Sequence, residues 1–593
     1  MTFLALRLRF RRTVACHSPC LTPVLACALV LGACTPAQPP KPGTELRTLR
    51  IDEPFPESPQ FGLLSAQVNH RELLSRIAAL ATDPKVSGVF VQLGEMDSAW
   101  ARVADIRDAL AEVHKAKKPV HCYFESTDNL GYALLAETCD HISMTPSGML
   151  NLVGVAASAV YAHELLQNVG LDAELLQIGR FKGAADPLTR DDMPEPVRQT
   201  MGAILDGLQG RVLAAVARRG SLSPERAQAL IDQGPFTADQ ARRAGLVDDI
   251  QYDDGARAVA KRAAHAARVV EEALHPEHPS LGLLDLLRAL MGRKQQHEPK
   301  GDRIVLAYLD GTITRGSASS LESGGAESFV GAMRGFADDP HVRAVVLRID
   351  SPGGSALAAD LMWHAVRRLQ KRKPVIVSIG DMCASGGYYV ASAGSEILAQ
   401  PDSLVGSIGV VGGKLVVSDL AQRIGVHFTE LKRGQHAGWT SALQPFTDSE
   451  RAAFEQQLQA TYELFLARIG EGRKLARQAI EPYAEGRLML GSRAREAHLV
   501  DTAGGLRDAM ARARDRAHLA PDAPVQVWPQ RQGLLQALSA LTGETRSDAA
   551  GDAGGERAWL VRMARSQHMA LIETLLSGDG LQAAVLPYVL SVH

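Results

Sequence analysis

Three short segments of this chain carry residue types that together could attack a carbonyl group. Cys383-Ala384-Ser385-Gly386-Gly387 sets a hydroxyl among small residues directly after an apolar run. Small neighbours permit a sharp strand-to-helix turn that presents the serine, and Gly386 can turn its N–H toward a substrate oxygen. Asp350-Ser351-Pro352-Gly353-Gly354-Ser355 also follows an apolar run, and its paired glycines let backbone N–H groups face an anionic oxygen. Gly179-Arg180-Phe181-Lys182-Gly183-Ala184-Ala185-Asp186-Pro187 supplies a lysine. A serine hydroxyl is a weak nucleophile until a base takes its proton. Lysine can be that base only when neutral, and its ordinary pKa of about 10.4 keeps it charged near neutral pH. Burial away from water lowers that value. The expectation is therefore a Lys182 enclosed by protein, with no carboxylate close by.

The positions of these residues in the chain give the pairing its force. Leu80-Ala-Thr-Asp-Pro-Lys-Val-Ser-Gly-Val-Phe-Val91 matches Phe336-Ala-Asp-Asp-Pro-His-Val-Arg-Ala-Val-Val-Leu347. Each is followed by an amphipathic stretch and then by Lys118-Pro119-Val120 or Lys373-Pro374-Val375, an offset of 255 residues from Lys118 to Lys373. The same offset pairs Pro146 with Pro401, Gly154 with Gly409 and Gly170 with Gly425. Later, Leu246-Val247-Asp248 matches Leu499-Val500-Asp501, and Gly282 to Leu290 matches Gly533 to Leu541. One fold is thus duplicated. At that offset the counterpart of Ser385 is Leu130, and the counterpart of Lys182 is Ala437. One repeat keeps a serine without the lysine, the other a lysine without the serine. The loop matching Asp350 to Ser355 is Gly94 to Ala99, which lacks the glycine pair. Such reciprocal loss makes sense if the two repeats meet to build one site.

The elements that must position these residues are those of an α/β fold. Bare apolar runs such as Ile304 to Leu309, Ala344 to Ile349 and Val375 to Ile379 suit strands buried on both faces of a largely parallel sheet. Met201 to Val216 and Asp448 to Ile469 keep apolar residues at helical spacing. The expected organisation is a lipoprotein-type signal over 1–33, a tether over 34–48, an N-terminal repeat over 49–293, a linker over 294–302 and a C-terminal repeat over 303–593. The signal reading rests on Arg7, Arg9, Arg11 and Arg12, a short apolar stretch and Leu31-Gly32-Ala33-Cys34. Cys34 then stands where a lipid would be attached, with an uncleaved anchor helix as the alternative. Pro23 and the shortness of the stretch disfavour a spanning helix, which needs about 20 apolar residues. With 46% hydrophobic and 22% charged residues and a net charge of −2, nothing in the composition suggests a nucleic-acid partner, which would usually need a basic face. Cys122 and Cys139 can pair in an oxidising compartment, which their spacing alone leaves open. There is no CxxC pair and no H-E-x-x-H, so neither a metal nor another cofactor is expected.

Ser351-Pro-Gly-Gly354, Ala384-Ser-Gly-Gly-Tyr-Tyr389, Gly406-Ser-Ile-Gly-Val410 and the Lys182-Gly183 element ahead of Arg190-Asp191-Asp192-Met193 resemble, in this order, the long form of the signal peptide peptidase A family. The likeness covers roughly 50 to 590. It implies a tandem duplication of a domain similar to Clp protease and the crotonases, with Ser385 as nucleophile and Lys182 as base. Ser407 would hold the lysine amine, and its counterpart Leu152 would leave the other half-site inactive. The resemblance further implies a homotetramer and signal peptides or similar apolar peptides as substrates. It also implies attachment to a bacterial membrane, with the catalytic part on the periplasmic side. Many members of the family keep an anchor helix where this chain has the Cys34 motif.

Other readings compete with this one. His341, His364, His427 or His436 could serve a Ser–His–Asp triad, although Gly-x-Ser-x-Gly is absent. Cys383 could be mistaken for the nucleophile. A crotonase-like enzyme of acyl-thioesters would share the fold and the oxyanion loops, and an inactive envelope scaffold would need neither Ser385 nor Lys182. The amphipathic stretches Leu281 to Leu290, Gly533 to Leu541 and Trp559 to Leu576 suit either core packing or a membrane surface.

Overall fold

The computed structural model describes residues 44–52, 55–59, 68–94, 96, 99–272, 274, 299, 301–316 and 325–529, and the backbone of a strand at 583–584. The signal, Cys34, most of the tether, most of the linker and the three amphipathic stretches named above lie outside these residues. So do Glu95, Asp97 and Ser98 of the loop matched to the glycine pair.

The duplication is visible strand by strand. In the N-terminal repeat, β1 (Glu45–Ile51), β2 (Val86–Leu93), β3 (Val120–Asp128) and β4 (His141–Asn151) run parallel, with β8 (Arg268–Glu271) beyond β1. The antiparallel β6 (Phe236–Thr237) and parallel β7 (Asp249–Ile250) both pair with β4. In the C-terminal repeat, β9 (Arg303–Asp310), β10 (Val342–Ser351), β12 (Val375–Ala384) and β14 (Leu404–Gly406) repeat that order. β18 (Val525–Trp528) lies beyond β9 and the antiparallel β16 (Leu488–Leu490) beyond β14. β13 (Glu396–Ala399) and β17 (Thr502–Ala503) complete this second sheet beside β12. Lys118 and Lys373 play the same part in both repeats. Each Nζ donates to two backbone carbonyls around the end of the helix that precedes its repeat's second strand, Leu80 and Asp83 in one, Phe336 and Asp339 in the other. β1 begins at Glu45, inside the stretch read as tether, because Glu45 to Arg50 continue the ladder with β2.

Strands read as bare apolar runs prove to be shared between two cores. Along β9 and β10, Ile304, Leu306, Tyr308, Ala344 and Val346 face the core of the N-terminal repeat. Their alternate neighbours Val305, Ala307, Leu309, Val345 and Leu347 face the core of the C-terminal repeat. The period-2 geometry of a strand sends successive side chains to opposite faces, so burial on both sides demands an uninterrupted apolar run. Ions also bridge the repeats. The buried Arg348 on β10 donates to both carboxylate oxygens of Glu57, at 2.6 and 3.3 Å, and to Asp105 at 3.3 Å. Asp105 also meets His70 at 3.1 Å and Gln400 at 2.7 Å. Arg102 pairs with Asp381 across the same interface.

A third sheet joins the repeats at the site. β5 (Asp172–Ile178) of the N-terminal repeat pairs antiparallel with β15 (Val410–Val416) of the C-terminal one, from Asp172 opposite Val416 to Ile178 opposite Val410. β19 (Ala583–Ala584) runs between β15 and the short β11 (Gly354–Ser355), antiparallel to both. Among the described residues no helix is long and apolar enough to cross a membrane.

Candidate active site

Ser385 sits where β12 ends and the helix Gly386–Ala391 begins, with φ 54° and ψ −116°. A non-glycine residue with positive φ stores roughly 1–3 kcal/mol of backbone strain, which surrounding bonds must hold. Here the Ser385 N–H donates to the Gly406 carbonyl at 2.7 Å, and the Ser385 carbonyl accepts from Tyr389 N–H at 2.9 Å. Ser407, at the end of β14, is also turned to positive φ, 53°, and its N–H donates to the Arg487 carbonyl at 2.7 Å. The two serines therefore come from adjacent parallel strands, β12 and β14, paired through Ala384 and Gly406.

Lys182 arrives from the other repeat, just past the end of β5. Phe181 N–H donates to the Glu485 carbonyl at 2.8 Å, and Lys182 N–H to the Gly179 carbonyl at 3.0 Å. Gly486 lies so close that a Cβ there would stand 2.4 Å from Lys182 Cα. Arg487 stacks its guanidinium 3.7 Å from the Phe181 ring centroid, and Arg180 pairs with Glu485 at 2.6 Å. The sequence reading missed this 485–487 clamp. Its available signal was a glycine next to two charged residues, too common a pattern to single out.

These elements bring Ser385, Lys182 and Ser407 together with no exposure to solvent. Lys182 Nζ lies 2.7 Å from Ser385 Oγ, 2.9 Å from Ser407 Oγ and 3.0 Å from the Ser407 carbonyl oxygen. Burial alone pushes the Lys182 amine well below its ordinary pKa, and no carboxylate pulls it back. A neutral amine has two N–H groups and one lone pair. Two donors suit the two oxygens of Ser407, which leaves the lone pair to face the Ser385 hydroxyl. That arrangement can take the hydroxyl proton as the oxygen attacks.

The glycine loops border the serine. A Cβ on Gly386 would stand 3.3 Å from both Gly353 Cα and Gly354 N. Gly353 and Gly354 have φ of 107° and 150°, and a Cβ on Gly354 would stand 2.1 Å from the Ile313 carbonyl, so only glycine fits. Gly353 N–H already donates to Ser351 Oγ at 3.2 Å. Gly386 is thus flanked by both loop glycines, of which Gly353 has its N–H engaged by Ser351 and Gly354 pairs with Ala584 of β19.

The competing residues fall elsewhere. His341, His364, His427 and His436 are exposed, whereas Ser385 is buried. Cys383 is buried, and burial pushes its thiol pKa well up, so it does not furnish a thiolate. In the other half, Leu130 and Leu152 are buried while Ala437 is exposed. Cys122 and Cys139 form a disulfide with Cα atoms 5.9 Å apart. Their counterparts by the same offset are Val377 and Gly394, where a Cβ on Gly394 would stand 2.5 Å from Val377 Cγ2. The duplicated fold brings this pair of positions together in both repeats, and only the first fills both with cysteine.

Comparison with known proteins agrees with the duplication. The profile of peptidase family S49 matches residues 112–267 and again 367–520. Serine protease SPPA, chloroplastic, from Arabidopsis thaliana is 29% identical over 452 residues, which is 76% of this chain and 66% of that protein. Protease 4 from Haemophilus influenzae is 28% identical over 79% of this chain and 76% of its own length. Among solved structures, a ClpP1 mutant from Listeria monocytogenes matches 35% of this chain and 94% of its own at 16% identity, with a TM-score of 0.23.

Proposed function

This chain belongs to peptidase family S49, and on that premise we propose that it is a serine endopeptidase in which Ser385 attacks the peptide carbonyl and Lys182 is the general base. One observation carries the reading. A fully buried lysine, whose amine burial pushes well below its ordinary pKa, stands 2.7 Å from a serine hydroxyl that a strained turn presents to it. The Ser385 proton passes to Nζ as Oγ bonds to the carbonyl carbon. The oxyanion is held by the N–H groups of Gly386 and Gly354. The Lys182 ammonium then returns its proton to the leaving amine as the scissile C–N bond breaks, which leaves an acyl-enzyme. Water, deprotonated by the same amine, hydrolyses the ester. Ser407 keeps the lone pair of Lys182 directed at Ser385.

The substrates are apolar peptides in extended form, signal peptides among them. Two features support this. An apolar cluster that includes Ala384, the residue before the nucleophile, is bordered by the partly buried Trp100, Tyr161, Met193 and Met382. The slot between β11 and β15 already accepts an extended strand, β19, beside the glycine loop. The protein works in a bacterial cell envelope, attached through a lipid on Cys34 and assembled as a homotetramer. The Cys122–Cys139 disulfide supports a place outside the reducing cytoplasm.

The test is hydrolysis of casein and of a synthetic signal peptide by the full chain, by Ser385→Ala and by Lys182→Ala. Both variants should be inactive. Cleavage that persists in both would reject the dyad. Cys34→Ser should move the protein from the detergent-extracted membrane fraction to the soluble one, and unchanged fractionation would reject the lipid anchor.

A further inference from the structure

Directly before the Ser385 turn, β12 loses its even pairing with β10. Ile349 stands opposite Ile379 and Ser351 opposite Cys383, so Gly380, Asp381 and Met382 face the single residue Asp350. A bulge of this kind bends its strand and re-aims the side chains that follow.

Three residues from outside β12 hold the bulge. Asp350 packs over Gly380, where a Cβ would stand 3.0 Å from the Asp350 Cβ, and its Oδ1 accepts the Met382 N–H at 3.1 Å. Ser403, fully buried ahead of β14, donates its hydroxyl to the Gly380 carbonyl at 2.7 Å. Asp381 is engaged by the N-terminal repeat: the Arg102 N–H donates to Oδ1 at 2.9 Å, and the Arg102 guanidinium pairs with the same carboxylate. Burial, and after it the Asp381 charge, pushes the Asp350 carboxyl well up, against the pull of Arg102. A protonated carboxyl still accepts through one oxygen and has the shape of an amide.

The N-terminal repeat shows the same junction without a nucleophile. At the offset of 255 the counterpart of Ser403 is Gly148, and that of Gly380 is Glu125. A Cβ on Gly148 would stand 1.9 Å from the Glu125 carbonyl oxygen, so no hydroxyl fits there. Thr127 pairs with Leu150, whereas its counterpart Met382 pairs with Leu404 and not with Val405. β12 is therefore slipped by one residue along β14. The next helix of the N-terminal repeat is Asn129–Thr138, with Leu130 inside it, while Ser385 stands ahead of its helix at φ 54°. The hydroxyl, the slip and the strained turn occur together in one repeat and are missing together from the other.

We propose that Asp350 and Ser403 are positioning residues for the reaction: they hold the 380–382 bulge of β12, and the bulge sets Ser385 Oγ within 2.7 Å of Lys182 Nζ. The inference rests on the dyad reading above. Both residues act through the backbone of β12 and not on the reacting atoms. Arg102 secures the same bulge, so the repeat that brings the base also steadies the strand that carries the nucleophile.

The test is steady-state hydrolysis of the synthetic signal peptide by the full chain and by Ser403→Ala, Asp350→Ala, Asp350→Asn and Ser385→Ala, with urea unfolding of each to give its folded fraction. Ser403→Ala and Asp350→Ala should each lower kcat by about 10- to 100-fold with KM near that of wild type, because the nucleophile shifts while the peptide slot stays. Asp350→Asn keeps an oxygen for the Met382 N–H and should restore most of the wild-type kcat. A loss of stability alone would lower the folded fraction and not kcat per folded chain. Wild-type kcat in both alanine variants, or an Asp350→Asn no faster than Asp350→Ala, would overturn the proposal. If Asp350→Ala does not fold, Ser403→Ala decides it by the same kcat criterion. An inactive Ser385→Ala beside fully active alanine variants overturns this inference alone, whereas hydrolysis that survives in Ser385→Ala overturns the dyad and this inference with it.

Discussion

A lysine kept neutral by burial has a thermodynamic signature that can be read without any substrate. Its folded-state pKa lies well below the ordinary value, while the unfolded chain restores that value at about 10.4. Between those two pH values the unfolded state holds one more proton than the native state. Stability must then rise with pH across that window, by about 1.4 kcal/mol per pH unit for one proton. Below the folded pKa both states are protonated and the burial penalty is present in full. Above about 10.4 both are neutral and it is gone. The perturbation is Lys182→Met, made in a Ser385→Ala background so that self-cleavage does not interfere. Methionine fills a similar volume and does not titrate. It strands the Ser407 oxygens that Nζ contacts at 2.9 and 3.0 Å, a constant cost of about 1–3 kcal/mol for each unsatisfied group. That cost shifts the comparison and leaves its slope untouched. The assay is urea unfolding of both proteins at intervals from pH 6 to 10. The stability of the lysine protein relative to the methionine one should climb with pH at close to the single-proton slope. A difference that stays flat across the range would mean that Lys182 is an ammonium in the native state. The proposed base would then be unable to accept a proton, and the mechanism would fail even if hydrolysis were observed.

Further outcomes follow from the same geometry. Ser407→Ala removes one of the two oxygens that orient Nζ; kcat should fall by roughly 2- to 13-fold, as expected for about 0.5–1.5 kcal/mol of hydrogen bonding, with KM little changed in a steady-state assay. Gly354→Ala forces a Cβ against the Ile313 carbonyl at an L-unfriendly φ, and kcat should drop by about 100- to 1000-fold through the displaced oxyanion donor, measured on the signal peptide. Reducing or deleting the Cys122–Cys139 bond releases a loop with a sequence separation of 17 residues. That should cost about 3 kcal/mol, seen as a lower unfolding midpoint with dithiothreitol present. Arg348→Met leaves Glu57 and Asp105 buried without their shared cation, and should destabilise the protein by about 3–5 kcal/mol in denaturant titration. Burial pushes both carboxyls up, yet Arg348 holds Glu57, and His70 together with Arg348 holds Asp105, below the ordinary pKa. Wild type should therefore lose stability as pH falls below the usual carboxylate range, and Arg348→Met should lose less.

The α/β class and the duplication were legible in the sequence, as were the serine and the lysine that the fold brings within 2.7 Å of each other, for local reasons. Strands buried on both faces must be apolar without interruption, so β9, β10 and β12 announce themselves. A turn that presents a nucleophile needs small residues, so Ser385 stands out among glycines. The comparison of one repeat with the other did the rest, because a duplicated scaffold shows which positions have lost their chemistry. Leu130 and Ala437 mark the missing partners of Lys182 and Ser385 without any reference to space.

What the sequence left open depends on distant segments meeting. The disulfide was undecided because spacing does not fix the separation of two Cα atoms; the fold sets them 5.9 Å apart, as it sets Val377 against Gly394. Gly353 and Gly354 were equivalent as letters. Only the turn shows that Ser351 has taken the first N–H. The clamp at 485–487 was invisible because it acts through backbone carbonyls, which every residue has. Above all, the lowered pKa of Lys182 is a property of its surroundings: the same amine in an open loop would be an ordinary cation. Residue identity settled which groups could react, and tertiary structure alone decided how little water they meet, because desolvation is the sum of every atom packed around the amine.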